Sequence, residues 1–220
     1  MARVAALVVI IALMGLALFA FGDAVIFADA RSTMTFGFLL LSAAFHLLIV
    51  SPIGFGGYRS EIAHRRNRFR WVEYSLSSSL MIVLIAMLVG ISDAVALLAI
   101  AGVNASMILF GWLMEVANGL EDDERVWWTP FWFGCVAGVV PWVGVGIYLF
   151  GPGSDVPNFV YIIFFTLFLF FNVFALNQFL QYRGNGRWSD YVFGEKVYVW
   201  LSISAKSALA WQIYGNTLAG

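Results

Sequence analysis

Lys206 is the residue whose setting demands chemistry. It lies near the middle of VYVWLSISAKSALAWQIYGNTL, residues 197–218, a run long and apolar enough to cross a bilayer. A lysine at that depth costs about 2.5–3.5 kcal/mol on insertion scales. The nearest charged residue in sequence, Lys196, is ten positions upstream. Neutralisation must therefore come from another helix or from a covalent change. An amine condenses with an aldehyde to a Schiff base, which buries the nitrogen within a cofactor. The plainer alternatives are a lysine that lines a water-filled cavity or one that snorkels to a surface. Snorkelling fits poorly with a position about ten residues from either end.

The partner can come from a second polar stretch, RWVEYSLSSSLMIVLIAML, residues 70–88. Arg70 and Glu73 are spaced i,i+3, and Glu73 and Ser77 i,i+4, so the three share one helical face. No Gly or Pro interrupts the chain from Ile62 onward, which predicts a helix starting before Arg70 with Glu73 two to three turns inside. Arg70 would then hold the Glu73 carboxylate ionised, and Glu73 would face the Lys206 nitrogen. An Arg–Glu pair at a helix mouth, with serines packed between helices, accounts for the same residues. Ser42 and His46 repeat the i,i+4 spacing, and Ser202 precedes Lys206 by one turn. Ser42, His46, Glu73, Ser77, Ser202 and Lys206 become one cluster if their three helices are neighbours. His46 is either an interhelical hydrogen bonder or a proton acceptor. Met81 and the aromatics Trp142, Phe168, Phe171 and Phe174 could hold a flat polyene, although aromatics are 17% of the chain and core or lipid packing is the default for each. Asn104, Ser106, Asn172 and Asn177 read as interhelical glue, and Glu115 as a residue near a helix end that reaches solvent.

The elements that must position these residues follow from composition. The chain has 220 residues, 62% hydrophobic and 11% charged, the profile of a polytopic membrane protein. Net charge is −1, which gives nucleic acid no footing. A single cysteine, Cys135, precludes an internal disulfide. No phosphate-binding loop, zinc spacing or Ser-His-Asp arrangement stands out, so the chain does not read as an enzyme. Seven segments are predicted to span, at about 4–22, 34–55, 69–92, 94–117, 127–150, 157–181 and 197–218. Each is close to the ~20 residues that cross ~30 Å of hydrocarbon. The first reads as a retained helix, not a signal peptide. The expectation is an all-α, seven-helix transmembrane bundle forming a single domain over residues 1–220 of a multi-pass cell-membrane protein.

Orientation follows the basic residues. Arg3, Arg59, Arg65, Arg66, Arg68, Arg70, Arg125, Arg183, Arg187 and Lys196 fall on one side of this scheme and only Arg31 on the other. The N-terminus is thus expected in the cytoplasm and the C-terminus outside. The Arg59–Arg70 cluster either fixes topology against anionic lipid or docks a cytoplasmic protein. The acidic run Glu121–Glu124 reads as a solvated loop. Gly151, Pro152 and Gly153 mark one turn, and Gly184, Asn185 and Gly186 another. Pro141 is expected to kink the fifth segment. No internal repeat is evident, which argues against an inverted-repeat transporter.

Three motifs together resemble the heliorhodopsin family of retinal proteins. RWVEYSLSSSLMIVLIAML is similar to that family's third helix, SAAFHLLI to its second and SISAKSALAWQIYG to its seventh; the inverted orientation is also characteristic of it. The resemblance implies a light-sensing photoreceptor with all-trans retinal bound covalently to Lys206. Glu73 would be the counterion, and Ser42, His46 and Ser202 would flank the Schiff base; Ser77, Met81, Trp142 and Phe174 complete the candidate pocket. It also implies a homodimer in the lipid bilayer. Two departures stand out: the first segment lacks the family's histidine, and the loop after it is short. The rival reading is a light-driven or light-gated proton or ion transporter. No acidic residue lies within the spans on the outer side of Glu73, which favours sensing.

Overall fold

The computed structural model describes residues 30–118, 125–153 and 155–219. Among them the fold is all-helical: α1 Ala30–Val50, α2 Pro52–Ala63, α3 Arg68–Leu88, α4 Ala94–Asn118, α5 Thr129–Phe150, α6 Asn158–Arg183, a short 3-10 turn Gly186–Ser189, and α7 Tyr191–Ala219. These are not the seven expected segments one for one. Segment 4–22 lies outside the described residues, and segment 34–55 is broken in two.

The break has a local cause. Pro52 supplies no amide hydrogen and restricts the residue before it to extended backbone, and Ser51 sits at φ −70°, ψ 156°. The Ser51 hydroxyl then accepts the Gly54 amide at 3.2 Å and caps α2. The two helical axes, Gly37–Val50 and Pro52–Ala63, meet at 84°. A side chain at Gly54 would collide with the Leu48 carbonyl, so this corner needs glycine. Hydropathy runs smoothly through SPIGFG and conceals the turn.

The third helix starts before Arg70, as expected, at Arg68, but Glu73 lies less deep in it than expected. Asn67 caps it by accepting the Arg70 amide at 3.1 Å, so Glu73 lies about one and a half turns inside instead of two to three. The last helix starts earlier, at Tyr191, after Gly184 (φ 63°) ends α6 in the left-handed conformation. Pro141 is buried inside an unbroken α5.

The helix at the centre is α3. Most of its span is buried, whereas only a minor share of α4, α5 and α6 is. It packs on α1 and α4 and also touches α5 and α6, while α6 and α7 pair with each other. Exposed Val136, Val139, Val143 and Ile147 on α5 and Ile162, Phe165 and Leu169 on α6 form the apolar exterior that lipid requires. Four helices, α3 to α6, are long and apolar enough to cross a membrane, and the bent α1–α2 pair makes a fifth candidate. The other candidate, α7, spans 29 residues but carries Lys206, Ser202, Gln212 and several Tyr and Trp residues along its length. One half of the interior is mostly apolar, with Phe38, Met81, Ile82, Ile85, Leu209 and Ile213 in contact.

Candidate functional site

Three helices converge on one amine. The Lys206 Nζ donates to Glu73 Oε1 at 2.7 Å and to the Ser202 hydroxyl at 2.9 Å. The Ser42 hydroxyl, from α1, donates to the same Glu73 oxygen. Glu73 is 2% exposed and Lys206 6%, so neither charge is tolerable without the other. The helical repeat explains the meeting. Ser202 lies one turn from Lys206 on α7, and Glu73 and Ser77 lie one turn apart on the buried face of α3. Ser77 is near enough to Glu73 to interact with the carboxylate, but its buried hydroxyl makes no hydrogen bond of normal geometry.

His46 is placed differently. Its Nδ1 is 2.7 Å from the Ser42 carbonyl oxygen, one turn back on its own helix. A carbonyl can only accept, so Nδ1 carries the proton and Nε2 is left as an acceptor. His46 is half-buried and makes no hydrogen bond to Glu73 or Lys206; the structure leaves it beside the cluster, tied to it through the Ser42 backbone.

A cavity runs from Lys206 between α3, α4, α6 and α7. Next to the amine it holds about 50 Å³, lined by Ser77, Ser78, Met81, Ile108, Ala205 and Phe174 among others. It continues past Tyr74, Met107 and Phe171 into a wider space of about 220 Å³ bounded by Trp142, Gly134, Gly138 and Phe168. Met81, Trp142 and Phe174 are thus all wall residues. Trp142 stacks edge-on against Phe164, Phe168 and Phe171, with centroids 5.3–5.4 Å away, and Phe174 stands edge-on to Tyr74 at 5.5 Å. A Cβ at Gly138 would come within 2.6 Å of the Met107 sulfur, so glycine keeps this wall thin.

The sequence reading missed or misplaced several residues. Tyr74 is the floor under the amine: its ring centroid is 5.3 Å from Lys206 Nζ, and its hydroxyl donates to the Tyr198 carbonyl at 2.9 Å. Arg70 does not serve Glu73. Its guanidinium is buried and donates to Glu115 on α4 and Glu195 on α7. Glu115 is 1% exposed instead of reaching solvent, because Arg70, Trp71, Tyr191 and the Asn67 amide enclose it. Glu195 was findable: Glu195, Tyr198, Ser202 and Lys206 follow 3-4-4 spacing, one stripe of a helix. Of the expected glue residues, Asn104 donates to Ser78 at 2.8 Å and to Ser79 at 3.1 Å. Asn177 joins Gly194 and Trp188. Asn172 and Ser106 only bond back to their own helices.

Comparison with known proteins bears on the family and the fold. No match is found among curated proteins. Among solved structures, cyanorhodopsin N4075R from the cyanobacterium Tolypothrix sp. NIES-4075 superposes with a TM-score of 0.63 over 96% of this chain and 93% of that one. At 14% identity it shows the rhodopsin fold. The heliorhodopsin family model matches residues 5–218, nearly the whole sequence, and the chain belongs to the heliorhodopsin family.

Proposed function

We propose that this protein is a light-sensing receptor in which retinal is attached through a Schiff base to Lys206, with Glu73 as counterion. Family membership and the rhodopsin fold support a retinal-binding photoreceptor in a membrane; the attachment site and the counterion are our reading of the geometry. The observation that carries it is the Lys206–Glu73 contact at 2.7 Å beside a cavity lined by Lys206, Tyr74, Phe171 and Phe174. The residues present fit the chromophore: an amine at one end, apolar and aromatic walls, and a glycine-thinned side. Retinal, when bound, supplies visible absorption and a light-driven double-bond isomerisation.

The chain's own residues supply the rest. Glu73 holds a negative charge opposite the Lys206 nitrogen. Ser42 and Ser202 orient the carboxylate and the amine with hydrogen bonds that cost nothing in reorganisation. Tyr74 sets the floor with the face of its ring toward the cation. The burial of all five groups excludes bulk water from the nitrogen. We further propose the inverted orientation, with the N-terminus cytoplasmic and the C-terminus outside, all-trans retinal in the dark, assembly as a homodimer, and signalling without net ion transport. The basic loops support the orientation: Arg65, Arg125 and the Gly184–Tyr191 turn share one surface cavity at the same end of the bundle.

The test is colour. Membranes given retinal should absorb visible light with the wild-type protein and not with Lys206→Ala, provided that both insert equally. A visible band retained by the variant rejects Lys206 as the attachment site.

A further inference from the structure

We propose that Arg70, Glu115 and Glu195 form a second protonatable centre, in which the two carboxylates hold one proton between them. Charge arithmetic is the starting point. With every group ionised the triad carries one positive and two negative charges. Arg70 is 6% exposed, Glu115 1% and Glu195 6%. Among the described residues no other cation forms an ion pair with either carboxylate. An unneutralised charge so deeply buried is heavily penalised, and the usual resolution is a proton.

The hydrogen bonds show why one arginine cannot serve both acids. Arg70 splits its fork, with Nη1 to Glu195 and Nη2 to Glu115, and its Nε finds no acceptor. Neither carboxylate receives the two-pronged grip that best neutralises it. Around the triad the other facing groups are neutral. From α3 and its cap, Asn67 donates its amide to Glu115 at 2.9 Å and its side chain to Glu195 at 2.6 Å. Trp71 donates to Glu115 at 2.6 Å, and Tyr191 from α7 at 3.2 Å. The flat faces of Arg70 are covered by Trp71 and Tyr198, 4.3 and 3.9 Å from the guanidinium carbon. Tyr58 on α2 and Tyr182 on α6 lie near enough to interact electrostatically with the triad. Because the carboxylates interact, the proton belongs to the pair and not to either residue.

The centre lies eleven residues below Lys206 on the same stripe of α7, roughly 16 Å along the axis. Tyr198 and Tyr74 fill the interval and are joined by a hydrogen bond. A unit charge lost at Lys206 would change the centre's proton affinity about fivefold by Coulomb's law at an effective dielectric of about 20. The triad can thus register at the cytoplasmic end what happens at the amine. The coupling rests on the proposed photoreceptor reading; the proton itself does not.

Infrared spectroscopy of the full-length protein in membranes tests it. The wild type near neutral pH should show the carbonyl stretch of a carboxylic acid, shifted by exchange into heavy water. The band should be present with or without retinal and in Lys206→Ala. Either Glu115→Gln or Glu195→Gln should abolish it, because the remaining carboxylate then pairs one-to-one with Arg70 and ionises. Glu73→Gln should leave it in place. Absence of the band in the wild type, which needs no variant to fold, overturns the proposal; so does a band that survives either substitution. A band that behaves as expected in a protein that never becomes coloured would sustain the triad while rejecting the light-sensing reading.

Discussion

Glu73 holds two partners with its one engaged oxygen: the Lys206 amine and the Ser42 hydroxyl. Removing its charge leaves a cation whose one other hydrogen-bond partner among the described residues is a hydroxyl. With retinal bound, Glu73→Gln should move the visible band to longer wavelength, since no anion localises charge at the nitrogen. The band should also give way to the near-ultraviolet form at lower pH than in the wild type. Absorbance spectra across a pH series check both, and a spectrum matching the wild type would assign the counterion elsewhere. Ser42→Ala removes one hydrogen bond to a charged group, worth about 1.5–3 kcal/mol, and should shift the band in the same direction by less. His46→Ala should shift it least of the three, because His46 contacts the backbone of Ser42 and not the carboxylate.

At the scale of elements, the corner between α1 and α2 ends the helix that carries Ser42. A Cβ at Gly54 would strike the Leu48 carbonyl, and backbone cannot move aside as a flexible side chain can. Gly54→Ala should therefore cost about 1–3 kcal/mol, read as a lowered thermal midpoint of the visible band in detergent, whereas Gly56→Ala, with open space at its Cβ, should be near neutral. Gly111 on α4 makes a similar demand, here against α3. The six-membered ring of Trp71 lies against its Cα face, and that placement allows the indole to reach Glu115. Helix α3 is thus held against α4 by the absence of a side chain at Gly111, whereas Gly54 serves the corner between α1 and α2.

At the scale of the molecule, the two halves of the interior differ. Toward the end with the basic loops lie the Arg70 triad and its tyrosines; toward the other lie Phe38, Ile82, Leu84, Ile85, Leu209 and Ile213, with no ionisable side chain among the described core residues. The sequence left Glu73 open to the basic loop, but Tyr74, Tyr198 and Arg70 close that path. Among the described residues a proton entering that half meets no ionisable side chain, and its cost in hydrocarbon is prohibitive. Continuous illumination should accordingly give no sustained photocurrent at any voltage, though transient charge shifts within the protein are compatible with this structure. A steady current that scales with light and vanishes in Lys206→Ala would assign the protein to transport. Orientation is checked separately: a C-terminal tag should be accessible on intact cells, and the Arg59–Arg70 segment should be protected from protease.

What the sequence determined by itself is the part governed by local periodicity and by the bilayer. Lys206 and Ser202, Glu73 and Ser77, and Ser42 and His46 are each paired by the helical repeat, and hydropathy located α3 to α6 to within a few residues. These depend on neighbours in the chain. Tertiary structure decided which carboxylate each cation met. Arg70 and Glu73 share a helical face, yet Arg70 turns to Glu115 and Glu195 because α4 and α7 bring two acids within reach, while Lys206 claims Glu73. The bend at Ser51 is equally invisible to hydropathy, since a turned apolar segment and a straight one have the same composition; only proline geometry and the close approach of Gly54 to Leu48 separate them. Ion pairing and close packing join residues far apart in the chain, so the site was legible as a set of candidates and became a constellation only when the helices were placed.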